Sequence, residues 1–130
     1  MTQPQKDKIL IVDDEPFNRE LLVRVLRRKY QLLEAESAEE GLSILSKESE
    51  DIFFILSDHL MPRMLGSEFL RQAKKTWPQI QSMLLTGYED DQDVKAVKAD
   101  GIVLSVLSKP WQRAELEELV DQAYDLTHDD

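Results

Sequence analysis

The chain has 130 residues, no cysteine and a formal net charge of −10 at pH 7. Its length suits one domain with a real hydrophobic core, and the lack of cysteine excludes a disulfide framework and a thiolate metal centre. The acidic balance argues against direct nucleic-acid binding, which needs clustered Lys and Arg to displace counterions, and no segment reaches the roughly 18–20 apolar residues of a membrane span.

Residues 1–7 lack an apolar signal region and read as a short disordered tail, so a cytoplasmic protein is expected. A first apolar run, Ile9-Leu10-Ile11-Val12, ends in Asp13-Asp14. Residues 15–29 then place Leu21, Leu22, Val25 and Leu26 on one helical face and finish in Arg27-Arg28-Lys29, cations suited to a helix C-terminus. Together with Arg24 these cations read as a solvated helix end. Residues 31–35 form a short second strand. Ser37 and Glu40 have capping-box spacing and open a helix burying Leu42 and Leu45.

A second long apolar run, Ile52-Phe53-Phe54-Ile55-Leu56-Ser57, ends in Asp58. Residues 66–76 form a helix that buries Phe69, Leu70 and Ala73 and stops before Pro78. Met83-Leu84-Leu85 ends in Thr86-Gly87, and a weakly apolar helix over residues 89–100, burying Val94 and Val97, is closed by Gly101. The run over residues 103–108 ends in Lys109-Pro110, and residues 114–127 form a last helix burying Leu116, Leu119, Val120 and Ala123. Residues 128–130 read as a frayed end, because Asp129 and Asp130 oppose the helix dipole. Short apolar runs alternating with amphipathic stretches predict five βα units around a parallel sheet.

Ligands of such sheets bind outside the carboxyl ends of the strands. One rim therefore gathers Asp13, Asp14, Asp58, Thr86 and Lys109. Crowded carboxylates repel one another unless a cation neutralises them, and oxygen donors without His or Cys point to Mg²⁺ or Mn²⁺. A hydrated hard cation also binds phosphate oxygens, Lys109 can neutralise another, and the Thr86 hydroxyl can bond a third. Asp58 stands alone on its strand and is the natural nucleophile for aspartyl-phosphate chemistry. Taken singly, Asp13-Asp14 reads as a helix-capping turn, Lys109 as a surface lysine and Thr86 as an ordinary strand end. Separate strands delivering complementary charges to one rim override those readings.

These residues resemble the receiver domains of two-component response regulators. The likeness spans residues 8–124 and rests on Asp13-Asp14-Glu15, Asp58-His59-Leu60-Met61-Pro62 with Gly66 eight residues after Asp58, Thr86-Gly87 and Lys109-Pro110. It implies a flavodoxin-like (βα)5 doubly wound sheet of order 2-1-3-4-5 over residues 8–127. It also implies Asp58 as phosphoacceptor, Asp14 and Asp58 as direct Mg²⁺ ligands, Asp13 as a ligand through water and the Leu60 backbone carbonyl as the third protein ligand. The phosphoryl donor would be a histidine kinase or a histidine phosphotransfer protein, and the signal would pass to an output domain or protein.

Val106 stands where receivers usually carry the Tyr or Phe of a rotamer switch. Leu60 and Tyr88 occupy the positions that flank the attacking water and set phosphoryl lifetime. His59 and Trp111 are expected to border the site. Thr86-Gly87-Tyr88 and Lys109-Pro110-Trp111 are similar to receivers fused to cyclic-dinucleotide phosphodiesterases or to hydrogenase-type transcription regulators. The function expected is a phosphorylation switch, not an enzyme beyond assisting its own phosphorylation and dephosphorylation. The alternatives are a pseudo-receiver that binds without signalling and a receiver cut from a larger regulator. A haloacid-dehalogenase-like phosphohydrolase ranks last, because Leu60 replaces that class's second acid and the chain has no room for a cap domain.

Overall fold

Five short apolar segments lie side by side as parallel strands in the order β2-β1-β3-β4-β5 in the computed structural model. They are β1 (Lys8–Val12), β2 (Gln31–Ala35), β3 (Ile52–Asp58), β4 (Gln81–Thr86) and β5 (Ser105–Ser108). The connecting helices are α1 (Pro16–Leu26), α2 (Ala38–Glu48), α3 (Gly66–Thr76), α4 (Gln92–Ala99) and α5 (Arg113–His128). Residues 7–128 are described; residues 1–6, nearly all of the expected tail, and residues 129–130 lie outside the described residues.

The period-2 alternation of β1 sends its side chains to two separate cores. Leu10 and Val12 join Ile55 and Leu84 under α2, α3 and α4, with Leu45, Phe69, Leu70, Val94 and Val97. Ile9 and Ile11 join Leu56, Met83 and Leu85 under α1 and α5, with Leu22, Leu26, Leu116, Val120 and Ala123. Each such fully buried aliphatic side chain contributes roughly 1.5–3 kcal/mol relative to exposure. The expected flavodoxin-like order is therefore present, and it follows from a sheet that is apolar on both faces.

Several boundaries differ from the periodicity. α1 stops at Leu26, not at residue 29, and Lys29 and Tyr30 turn back to donate to the Leu26 carbonyl at 3.2 and 3.1 Å. That turn delivers Gln31 to the sheet edge. α4 begins at Gln92, three residues later than expected, because the Asp91 carboxylate accepts from the N–H groups of Asp93 and Val94 and fixes the helix start. At α2 the Ser37 hydroxyl accepts from Glu40 N at 3.1 Å as expected, but the Glu40 carboxylate accepts from Glu36 N, one residue before the cap. On β3 an extra residue, Phe53, enters between the partners of Lys8 and Ile9. This bulge lets both Phe53 and Phe54 join the α1/α5 core, which alternation alone does not predict.

Gly66 fixes the distance between α3 and the end of β3. Its N–H donates to the His59 carbonyl at 2.7 Å, and a Cβ built there would lie 2.0 Å from the Asp58 carbonyl oxygen. The obstacle is backbone, so it cannot rotate away. Gly66→Ala is expected to cost about 3 kcal/mol or more, the upper range for overpacking, read as a lower urea midpoint. An unchanged midpoint would show that α3 can slide without loss.

Candidate functional site

Asp13 is held by its neighbours before any ligand is considered. Its N–H donates to the Ala35 carbonyl at 3.1 Å, and Arg19 Nη1 donates to its carbonyl at 2.7 Å while Arg19 Nε reaches Glu34 at 3.1 Å. Its carboxylate accepts from Glu15 N at 2.9 Å and is 3% exposed as a residue. Asp58 ends the adjacent strand, since Val12 pairs with Ser57. One carboxylate oxygen from each of Asp13, Asp14 and Asp58 lies within 4.8 Å of the others.

The remaining strands complete the rim. Lys109 follows β5, and its Nζ lies 2.6 Å from Asp58 Oδ1, a charge-assisted hydrogen bond. The Lys109 N–H donates to the Thr86 carbonyl at 3.0 Å, which ties the β4 and β5 ends together. Thr86 is buried, and its hydroxyl oxygen accepts from Tyr88 N at 3.0 Å, leaving its own O–H to donate.

Burial pushes the Asp13 carboxyl above the ordinary carboxylate range; the Glu15 N–H opposes this, the Asp58 charge adds to it, and Lys109 and Asn18 pull it back. A buried acid kept partly uncomfortable by a second acid is the environment that a divalent cation relieves. The donor set is oxygen only, which fits Mg²⁺ or Mn²⁺. Leu60 lies two residues after Asp58 in the β3–α3 loop with its side chain half exposed; its one oxygen is the backbone carbonyl.

Trp111 is half-buried and lines a cleft with Asp13, Asn18, Lys109 and Pro110. Asn18, five residues after Asp13, carried no signal in the sequence; only the first turn of α1 brings it to the acid. Tyr88 is largely exposed. Val106 pairs with Leu84 in register and packs half-buried against the α2/α3/α4 core. His59 is 1% exposed, and its ring reaches Asp91 at 3.5 Å.

A parallel sheet of order 2-1-3-4-5 that brings acids from β1 and β3 to a lysine after β5 defines the receiver class of signalling domain. The family model "Response regulator receiver domain" matches residues 9–121, and the chain belongs to that family. The class works as a phosphorylation switch in two-component signalling and interacts with histidine kinases and output domains. The chain is 35% identical over 118 residues to the hydrogenase transcriptional regulatory protein HoxA of Bradyrhizobium diazoefficiens, covering 91% of this chain and 24% of that protein. It is 32% identical over 117 residues to an uncharacterized 14.6 kDa protein of Leptolyngbya boryana, covering 88% and 87%. Among solved structures, the signal receiver domain of an HD domain-containing protein from Pseudomonas fluorescens superposes with a TM-score of 0.88 at 28% identity, covering 98% and 93%. The chain thus spans about a quarter of the length of the hydrogenase regulator it matches. No helix among the described residues is long and apolar enough to cross a membrane.

Proposed function

We propose that the chain is a cytoplasmic phosphorylation switch in which Asp58 accepts a phosphoryl group from a phosphohistidine of a sensor histidine kinase or a histidine phosphotransfer protein. The observation that carries this reading is Lys109 Nζ at 2.6 Å from Asp58 Oδ1, beside two further acids. An Asp58 carboxylate oxygen attacks phosphorus, the P–N bond breaks, and its electron pair leaves with the imidazole, which takes up a proton. Asp13, Asp14, Asp58 and the Leu60 carbonyl would hold Mg²⁺ or Mn²⁺, which neutralises phosphoryl oxygens when bound. Lys109 balances another oxygen and Thr86 donates its hydroxyl to a third. Leu60 and Tyr88 bring no carboxamide or carboxylate to orient an attacking water. The signal passes to an output domain or protein. Incubation with a small phosphodonor and Mg²⁺ tests the reading: intact-protein mass should rise by one phosphoryl group, and an unchanged mass would overturn it.

Val106 sets how far the switch reaches. New phosphate contacts favour one of two pre-existing states, and the shift cannot exceed the differential contact energy. Without a ring at residue 106, Thr86 movement has no aromatic to carry it to the face formed by α4, β5 and α5. A beryllofluoride mimic of the phosphoryl group is expected to move amide resonances after Thr86 and Lys109 and to repack that face only modestly. Tyr88, Leu104 and Trp111 are placed to share the role. Large shifts throughout residues 103–107 and 114–123 would show a full switch without the ring.

A further inference from the structure

His59 is the one site residue that the phosphoryl chemistry leaves without a task. Its backbone is pinned, the N–H donating to Leu85 O at 3.1 Å and the carbonyl accepting from Gly66 N at 2.7 Å. The imidazole is 1% exposed, yet neither ring nitrogen has a hydrogen-bond partner among the described residues. A buried polar group left unsatisfied is costly, so both ring nitrogens are free to take a ligand.

The ring does not face apolar surroundings alone. Nε2 lies 3.5 Å from Asp91 Oδ1, and one nitrogen of His59 and one oxygen each of Asp91 and Asp93 fall within 4.8 Å of one another. Asp91 Oδ1, the same oxygen that faces His59 Nε2, accepts from the N–H groups of Asp93 and Val94 at 2.8 and 3.2 Å, so the cap holds this carboxylate beside the ring. Asp93 is exposed and can rotate.

We infer that His59, Asp91 and Asp93 form a second cation site, distinct from the three-acid cluster, that takes a first-row divalent ion such as Zn²⁺. An imidazole nitrogen beside two carboxylates suits Zn²⁺ and disfavours Mg²⁺, which prefers oxygen alone. Zinc bonds of about 2.0–2.2 Å to nitrogen and oxygen set tetrahedral ligand atoms about 3.4 Å apart. The 3.5 Å from His59 Nε2 to Asp91 Oδ1 matches that spacing, and an Asp93 oxygen within 4.8 Å of both need close by at most about 1.4 Å. The half positive charge at the start of α4 is outweighed by two carboxylates, with Glu89 and Asp90 adding negative charge in the same loop. An ion here would clamp the first turn of α4 to the end of β3, directly beside the phosphoryl site.

The test is a Zn²⁺ titration of the full chain with Mg²⁺ saturating and no phosphodonor, so its outcome is independent of the phosphoryl reading. The imidazole ¹⁵N resonances of His59 should shift saturably at one equivalent, together with the amides of Asp91, Asp93 and Val94. Asp93→Ala, at an exposed position that keeps its backbone N–H, should weaken Zn²⁺ at least tenfold, and His59→Gln should abolish the site. Unmoved His59 nitrogens, shifts confined to Asp13, Asp14 and Asp58 or to His128, or wild-type affinity in Asp93→Ala would each overturn the inference. If His59→Gln fails to fold, the Asp93→Ala titration decides alone.

Discussion

Asp58→Asn will abolish acyl-phosphate formation while leaving the protein folded. A carboxamide oxygen is too weak a nucleophile to attack phosphorus, so labelling by a small phosphodonor should fall by several orders of magnitude, as removal of a nucleophile does elsewhere. The fold survives for an electrostatic reason. The substitution removes one of three crowded negative charges, and the Lys109 side chain is 32% exposed, so water takes over solvation of its ammonium. Wild-type protein should carry one phosphoryl group that survives acid and is lost in base, and intact-protein mass spectrometry reads both properties. Undiminished labelling of the Asn variant would assign the chemistry to another residue.

The second large effect concerns the acid cluster and its cation. Ligation needs ionised carboxylates, so Mg²⁺ affinity should fall as pH drops. Because the folded-state pKa of Asp13 is raised, chiefly by burial, that fall begins at a higher pH than for an ordinary carboxylate. The same shift has a signed effect on stability. A carboxyl with a raised folded pKa favours folding below its unfolded pKa, and that contribution is lost as pH rises through the folded value. Above that folded value the metal-free protein therefore carries a destabilising Asp13 charge. Asp13→Asn should stabilise the metal-free chain by ~0.5–2 kcal/mol, the range a single stabilising change commonly yields, and should abolish the further stabilisation by Mg²⁺ expected of the wild type. Asp14→Ala should likewise lose Mg²⁺ binding. Thermal melts with and without Mg²⁺, with Trp111 fluorescence as the nearer optical probe, measure both. Wild-type Mg²⁺ affinity in Asp14→Ala would remove that acid from the ligand set.

The five βα units, the carboxyl ends of the strands and the residue types gathered at the rim were readable from the chain alone. Those signals are local: an apolar run requires burial on both faces, and the residue that ends it must sit at the sheet edge. Ser37 and Gly101 were legible for the same reason, since caps depend on a few adjacent residues, whereas Gly66 stood out through the family resemblance alone. The tertiary structure decided what depends on partners distant in the chain. The Phe53 bulge arises from pairing with β1, and the early end of α1 from the need to return Gln31 to the sheet edge. The raised Asp13 pKa depends on burial and on Asp58, forty-five positions away. His59, read from sequence as a border residue, meets Asp91 and Asp93 only because β3 and the start of α4 lie side by side. Periodicity reports which face a residue occupies, but not which side chain from another element will be packed against it.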